Sequence, residues 1–140
     1  MMEAIKRILI ADAGEDFRRG LVDSLSGEAD IQVAGQTGDG AELVRMVSEL
    51  MPDAVVMEIV LAGLDGLEVL EQLKQAGVSS VAVSIDGPED VHDAGRQAGS
   101  FKRAMEAVRA LTAAGMPVSV ISTLRRDCMG RLEELYRVLE

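Results

Sequence analysis

Two acidic residues and one hydroxyl stand where a parallel sheet would gather its reactive groups. Asp12 closes the first apolar run of the chain, Glu58 lies near the end of the third, and Ser84 lies near the end of the fourth. Ligands of open α/β sheets bind outside the carboxyl ends of the strands, so we expect these side chains to lie close together. Two carboxylates could hold Mg²⁺, which prefers oxygen ligands. Solvated edge acids without a function are an equal alternative on spacing alone.

The elements that must position these groups alternate regularly along the chain. Five runs predict strands, at 7–12, 31–40, 53–60, 79–85 and 116–123, and the second of them stops in glycines. The segments between and after them carry apolar residues at helical spacing. In the third helix this spacing turns Leu67, Leu70 and Leu73 inward. In the last helix it turns Leu132, Leu135, Tyr136 and Leu139 inward. Ser100 is predicted to be the N-cap of the fourth helix.

This alternation predicts an α/β fold made of one domain over residues 1–140. Continuous apolar strands are typical of a parallel sheet that is covered on both faces. Five units are too few for an eight-stranded barrel, so we expect a flavodoxin-like, doubly wound, five-stranded sheet in the order 2-1-3-4-5. The segment 86–100 is the one irregularity. Loops of about 15 residues are uncommon in compact domains, and we expect this one to be mobile.

Composition excludes several classes of function. The formal net charge is −10, and aromatic residues make up 2% of the chain. An acidic surface without stacking rings argues against nucleic acid and anionic membranes as partners. No apolar run approaches the roughly 20 residues of a membrane span, and a single cysteine suits a reducing cytoplasm. One histidine and one cysteine leave little for a transition-metal site.

Three stretches of the N-terminal part share one known pattern: "ILIADAGEDFRRGL", "VAGQTGDGAELV" and "PDAVVMEIVLAGLDGLEVLEQL". On these stretches, residues 5–83 resemble a response-regulator receiver domain of the sporulation-regulator type. The resemblance implies phosphoryl transfer from a histidine kinase to an aspartate at the end of strand three. It also implies Mg²⁺ held by that aspartate and by two acids after strand one. A hydroxyl ending strand four and a lysine ending strand five would contact the phosphoryl oxygens.

Carried over to this chain, that site is altered. Asp12 matches the first acid, but the second is Ala13; Glu58 stands at the phosphoacceptor position, and Ser84 matches the hydroxyl. The strand-five segment "VSVISTLRR" has no lysine. The extra methylene of Glu58 displaces its carboxylate by roughly a C–C bond, and in-line transfer depends on positioning and charge neutralisation. We therefore expect residual site positions at Asp12, Glu58 and Ser84, with weak Mg²⁺ binding at most.

The C-terminal part contains, in order, "SIDGPEDVHD", "GSF" at the start of a helix, and "LTAAGMPVSVISTL". On these stretches, residues 81–140 resemble an internal segment of a radical S-adenosylmethionine enzyme barrel. Such enzymes hold a [4Fe–4S] cluster through three cysteines of one motif, but this chain has only Cys128, so no iron–sulfur cluster is expected. His92 and Asp93 could form a proton-transfer pair, although adjacent loop residues are usually solvated.

The two resemblances favour a chimera, engineered from receiver-like units over 1–80 and barrel-like units over 81–140. On this interpretation the protein has no native catalytic function, no cofactor and no obligate partner, and it is a monomer or weak homodimer. The alternative is a degenerate receiver that cannot be phosphorylated and acts as a signalling or binding module. In it, the charge of Glu58 would imitate the phosphorylated state. A small Mg²⁺-dependent enzyme using the edge acids ranks last.

Overall fold

Five parallel strands form one sheet in the order β2-β1-β3-β4-β5. The computed structural model describes residues 4–61 and 66–140, without the side chains of residues 66 and 67. The strands are β1 (Lys6–Ala11), β2 (Ile31–Thr37), β3 (Ala54–Met57), β4 (Ser80–Ser84) and β5 (Val118–Ile121). The predicted fold class and strand order are confirmed.

Helices follow the strands, and a further short helix lies after β4. They are α1 (Glu15–Leu25), α2 (Gly40–Leu50), α3 (Gly66–Gln75), α4 (Glu89–Gly95), α5 (Ser100–Ala113) and α6 (Leu132–Leu139), with a 3₁₀ turn at Met129–Arg131. No helix within residues 4–61 and 66–140 is long and apolar enough to cross a membrane. Since α4 lies inside 86–100, the prediction of a long irregular loop there is wrong.

The two faces of the sheet have different roles. Side chains alternate between the faces of a strand, and one set joins the core cluster with residues of α2, α3 and α5. Its central members are Leu9, Ala11, Val55, Met57, Val81 and Val83. The other set includes the buried Ile10 and Val56. The same alternation, continued past the strand ends, places Asp12, Glu58 and Ser84 on this second face.

The side chain of Asp93 caps α5 from a distance. Its carboxylate accepts hydrogen bonds from the backbone N–H groups of Gly99 at 2.7 Å and Phe101 at 2.8 Å. Gly99, with φ +80°, is the N-cap residue, and Ser100 is already helical. The prediction of Ser100 as the N-cap is therefore wrong, because the capping oxygen comes from α4 and not from the residue before the helix.

The inward faces of two helices were only partly predictable. In α3, Leu70 and Leu73 are buried as expected, and the side chain of Leu67 lies outside the described residues. In α6, Leu135 is buried, but Leu132 is 40% exposed and Tyr136 is 65% exposed. Leu139 is partly buried against the core. The apolar face of α6 is thus wider than the strip of core that it covers.

Candidate functional site

The structure brings the three predicted residues to one edge of the sheet. Asp12 and Glu58 directly follow β1 and β3, Ser84 ends β4, and all three are buried. Ala11 pairs with Met57 and Met57 with Val83, so the three strands end level with one another. This is the juxtaposition that their strand positions predict.

The turn after β1 locks both carboxylates in place. The backbone N–H of Ala13 donates to Oε2 of Glu58 at 3.1 Å, and that of Gly14 donates to Oδ1 of Asp12 at 2.8 Å. A Cβ at Gly14 would lie 3.2 Å from Oδ1 of Asp12 and 3.5 Å from Cβ of Phe17. Glycine therefore lets the turn close tightly around the Asp12 carboxylate.

A guanidinium that the sequence analysis did not single out occupies the centre of the site. Nη1 of Arg96 lies 2.9 Å from Oδ2 of Asp12 and 3.2 Å from Oε1 of Glu58. Its Nε lies 2.6 Å from Oδ2 of Asp86, and only 9% of its side chain is exposed. The same guanidinium lies 5.5 Å from the centre of the Phe17 ring. Three carboxylates thus converge on one buried cation whose planar fork suits several acceptors at once.

Asp86 is the residue that orients this cation. Its Oδ1 accepts from Nη2 of Arg96 at 3.3 Å and from the backbone N–H of Thr123 at 3.1 Å. Its own backbone N–H donates to Nδ1 of the buried His92 at 3.0 Å. Burial lowers the pKa of His92, which favours the neutral ring that this bond requires. His92 and Asp93 therefore have structural roles here, in Asp86 placement and helix capping.

Electrostatics explain how the cluster shares its charge. Burial, followed by the negative charge of Asp12, raises the pKa of Glu58 against the opposing bonds from Ala13 and Arg96. Burial acts to lower the pKa of Arg96, but its hydrogen bonds to Asp86 and Asp12 outweigh this and raise it. Arg96 is therefore a permanent cation, whereas Glu58 is the acid most easily protonated among the groups with a shifted pKa here.

The donor set does not fit the divalent cation that the receiver resemblance implies. Oxygens of Asp12 and Glu58 already accept from Arg96, and Ala13 offers no side-chain ligand. In the part of the chain that the structure describes, no group of three or more His, Cys, Asp or Glu side chains is arranged to hold a metal ion. Oγ of Ser84 is buried and has no hydrogen-bond partner among the described residues.

A cavity of 460 Å³ adjoins the cluster. Its lining includes Asp12, Phe17, Glu58, Asp86, Arg96 and Arg125. Within this lining, Arg125 pairs with Asp127 at 3.1 Å. Asp86 could have been recognised from its place just after a strand, as Asp12 was. Arg96 carries no such signal, because it follows α4 and reaches the site only through the path of the backbone.

A family model described as the response regulator receiver domain matches residues 8–108. The match runs across residue 81, where the sequence favoured a change of ancestry. The comparisons give no support to a radical S-adenosylmethionine segment over 81–140 or to an engineered join. The alternative of a receiver domain fits them better.

Curated relatives match about half of the chain. The transcriptional regulatory protein LiaR of Bacillus subtilis is 42% identical over 67 residues, which cover 48% of this chain and 32% of LiaR. A protein-glutamate methylesterase/protein-glutamine glutaminase of Methanospirillum hungatei is 38% identical over 69 residues, covering 49% of this chain and 20% of that protein. The chain thus matches a third or less of the length of these relatives.

Solved structures resemble the chain over most of its length. The response regulator domain of Thermotoga maritima CheB has a TM-score of 0.62 at 22% identity and covers 96% of this chain and 93% of its own. The isolated REC domain of Salmonella enterica RcsB has a TM-score of 0.64 at 17% identity and covers 85% and 78%. These likenesses show the fold alone. With the family match over residues 8–108, they lead to one conclusion: this chain belongs to the response regulator receiver domain family.

Proposed function

We propose that this chain is a receiver module that acts through protein contacts and does not accept a phosphoryl group. The observation that carries the proposal is the state of the Glu58 carboxylate. Its Oε2 accepts from the N–H of Ala13, and its Oε1 lies 3.2 Å from Nη1 of Arg96. Both oxygens at the phosphoacceptor position are therefore engaged within the protein.

The chemistry of phosphoryl transfer supports this reading. Catalysis of that step is almost entirely positioning and charge stabilisation, so the nucleophilic oxygen must be free and aligned. Glu58 is longer than the aspartate of the family pattern and is tied down at both oxygens. No lysine stands between residues 116 and 126 to contact the transferred group. The site thus lacks the parts that would lower the barrier.

The role that follows is regulatory and not catalytic. LiaR is named as a transcriptional regulatory protein, and other relatives are named as methylesterases. We propose that this chain supplies the receiver part of such a cytoplasmic system, with the Glu58 carboxylate standing in place of a phosphorylated aspartate. Its net charge of −10 favours protein over nucleic acid as the contact. We propose a monomer or weak homodimer without an obligate partner.

The test is intact-mass measurement after treatment with acetyl phosphate and Mg²⁺. We expect no phosphorylated species of this chain, and LiaR of Bacillus subtilis, treated in parallel, serves as the comparison. A phosphorylated species that peptide mapping assigns to Glu58 would overturn the proposal. Sedimentation velocity over a range of protein concentrations tests the proposed monomer or weak homodimer.

A further inference from the structure

We propose that Arg96 replaces the divalent cation of the site, so that the charge state of this receiver is set by its own side chain and not by metal ions. The inference rests on the proposed function, because it explains how the same site is held without phosphorylation. It concerns the cation of the site, whereas the proposed function concerns the phosphoacceptor.

The position of the guanidinium is the first argument. A single nitrogen, Nη1 of Arg96, bridges Asp12 at 2.9 Å and Glu58 at 3.2 Å. These two carboxylates end neighbouring strands and would otherwise repel each other in a buried setting. A metal ion would place a positive charge between them, and here the side chain of Arg96 provides that charge.

The support around Arg96 is the second argument. Nε and Nη2 both bond Asp86, whose own N–H is held by His92, and the cation lies over the ring of Phe17. A mobile surface arginine would gain little from such contacts, since it would lose conformational entropy on being ordered. Here the side chain is buried and oriented by several partners. The surrounding residues therefore hold Arg96 in one defined orientation.

Competition is the third argument. A divalent ion that took over the Asp12 and Glu58 oxygens now paired with Nη1 of Arg96 would have to displace Arg96, which would also break both bonds to Asp86. The displaced guanidinium would leave Asp86 buried without its charge partner, which is costly. Without Arg96, Asp12 and Glu58 would face each other with no positive charge between them, and carboxylate oxygens are the ligands that Mg²⁺ or Mn²⁺ prefers. Arg96 is thus the element that excludes the metal.

Divalent-cation titration of the wild type and of Arg96→Met tests the inference. The melting temperature is measured against MgCl₂ at constant ionic strength, and calorimetry gives the dissociation constants. We expect the melting temperature of the wild type in MgCl₂ to equal its value in monovalent salt of the same ionic strength. We expect Arg96→Met to melt lower without Mg²⁺, to recover with it, and to bind Mg²⁺ roughly tenfold or more tightly than the wild type. Equal affinity in the two proteins would overturn the inference.

Two additions guard against a variant that fails to fold. Arg131→Met is the matched control, because Arg131 also pairs with two acids, Asp90 and Glu134, but on the surface. It should leave the Mg²⁺ response unchanged. The second measurement uses the wild type alone: Mn²⁺ should not selectively broaden the NMR signals of the Ala13 and Glu58 amides. Selective broadening there would overturn the inference and leave the absence of phosphorylation untouched.

Discussion

Nη1 of Arg96 lies 2.9 Å from Oδ2 of Asp12, although 84 positions separate the two residues in the chain. Their side chains are 9% and 5% exposed, so the pair is shielded from solvent. Breaking a buried pair by removing one partner leaves an uncompensated charge, which is far more damaging than losing a surface pair. This contact therefore ties the segment after α4 to the end of β1.

Replacing Arg96 should destabilise the fold strongly. We expect Arg96→Met to lower the free energy of unfolding by about 3 kcal/mol at neutral pH, because three carboxylates lose their shared cation. Asp12→Asn should cost less, since it also removes repulsion with Glu58. In a double-mutant cycle measured by urea unfolding, the two changes should be less than additive. Strict additivity would mean that the contact between Arg96 and Asp12 contributes nothing. The control is Arg131→Met, which should leave the free energy of unfolding nearly unchanged.

Glu58 should make stability fall as pH rises. The pKa of Glu58 is raised in the folded state by burial and by Asp12, so the folded protein holds a proton that the unfolded chain releases. Between its ordinary value and its raised value, the folded state binds more protons, and stability decreases with pH. The Glu58→Gln variant has no such titration. The difference between its free energy of unfolding and that of the wild type should therefore grow as pH rises through this range.

Urea unfolding at a series of pH values checks the Glu58 prediction. The control is Glu133→Gln, which removes an exposed acid paired with Arg137. This variant controls for the loss of an acidic side chain and its ion pair at an exposed position. A Glu58→Gln difference that is constant or shrinks with rising pH would contradict the raised pKa.

His92 should act in the opposite direction. Burial lowers its pKa below the ordinary 6.5, so below that pH the unfolded chain binds a proton that the folded state resists. Stability should therefore fall as pH drops through this window. In His92→Asn, the amide oxygen can accept the Asp86 N–H bond without titrating. The variant should show a shallower acid-side slope in urea unfolding; an unchanged slope would exclude His92 as its source.

Loss of the Asp93 carboxylate should weaken the start of α5. Two backbone N–H groups, of Gly99 and Phe101, depend on it. We expect Asp93→Ala to lower the free energy of unfolding by about 1–2 kcal/mol, as for other capping residues. Asp93→Asn keeps one acceptor oxygen and should lose less. Hydrogen exchange should accelerate at Gly99 and Phe101 in the alanine variant first, and equal losses in both variants would argue against capping.

Two helical glycines make a matched pair. A Cβ at Gly20 meets nothing within 4 Å, so Gly20→Ala should stabilise the protein by about 0.5–1 kcal/mol. At Gly95 a Cβ would overlap Nη1 of Arg125, whose side chain must move and give up its bond to the Val91 carbonyl. Gly95→Ala should gain less than Gly20→Ala or lose stability. Thermal unfolding of both variants measures the difference.

The sequence predicted those features that depend on local pattern. Apolar runs and their spacing were enough to place Asp12, Glu58 and Ser84 at one edge, because strand ends in a parallel sheet coincide. Arg96 was missed because its partners lie 10 to 84 positions away and are reached only through the angle of α4. The Ser100 cap failed for the same reason: the oxygen that fills that role comes from Asp93, outside the local motif.

The exposure of Leu132 and Tyr136 on α6 was not predicted, for a different reason. Helical periodicity shows which residues share a side, but not how much of that side a neighbour covers. Leu135 meets the core, whereas Leu132 and Tyr136 on the same side are exposed. Burial of an amphipathic helix is thus a property of its neighbours as much as of its own residues.

The short helix α4 positions two side chains, Arg96 and Asp93, that stabilise different parts of the fold. At its C-terminal end the chain delivers Arg96 to the acids of β1 and β3, and from its middle Asp93 secures the start of α5. Unfolding of α4 would therefore separate Arg96 from Asp12 and Glu58 and, at the same time, remove the capping oxygens of α5. The ion pairs at the sheet edge and the stability of the start of α5 are thus coupled through this one helix.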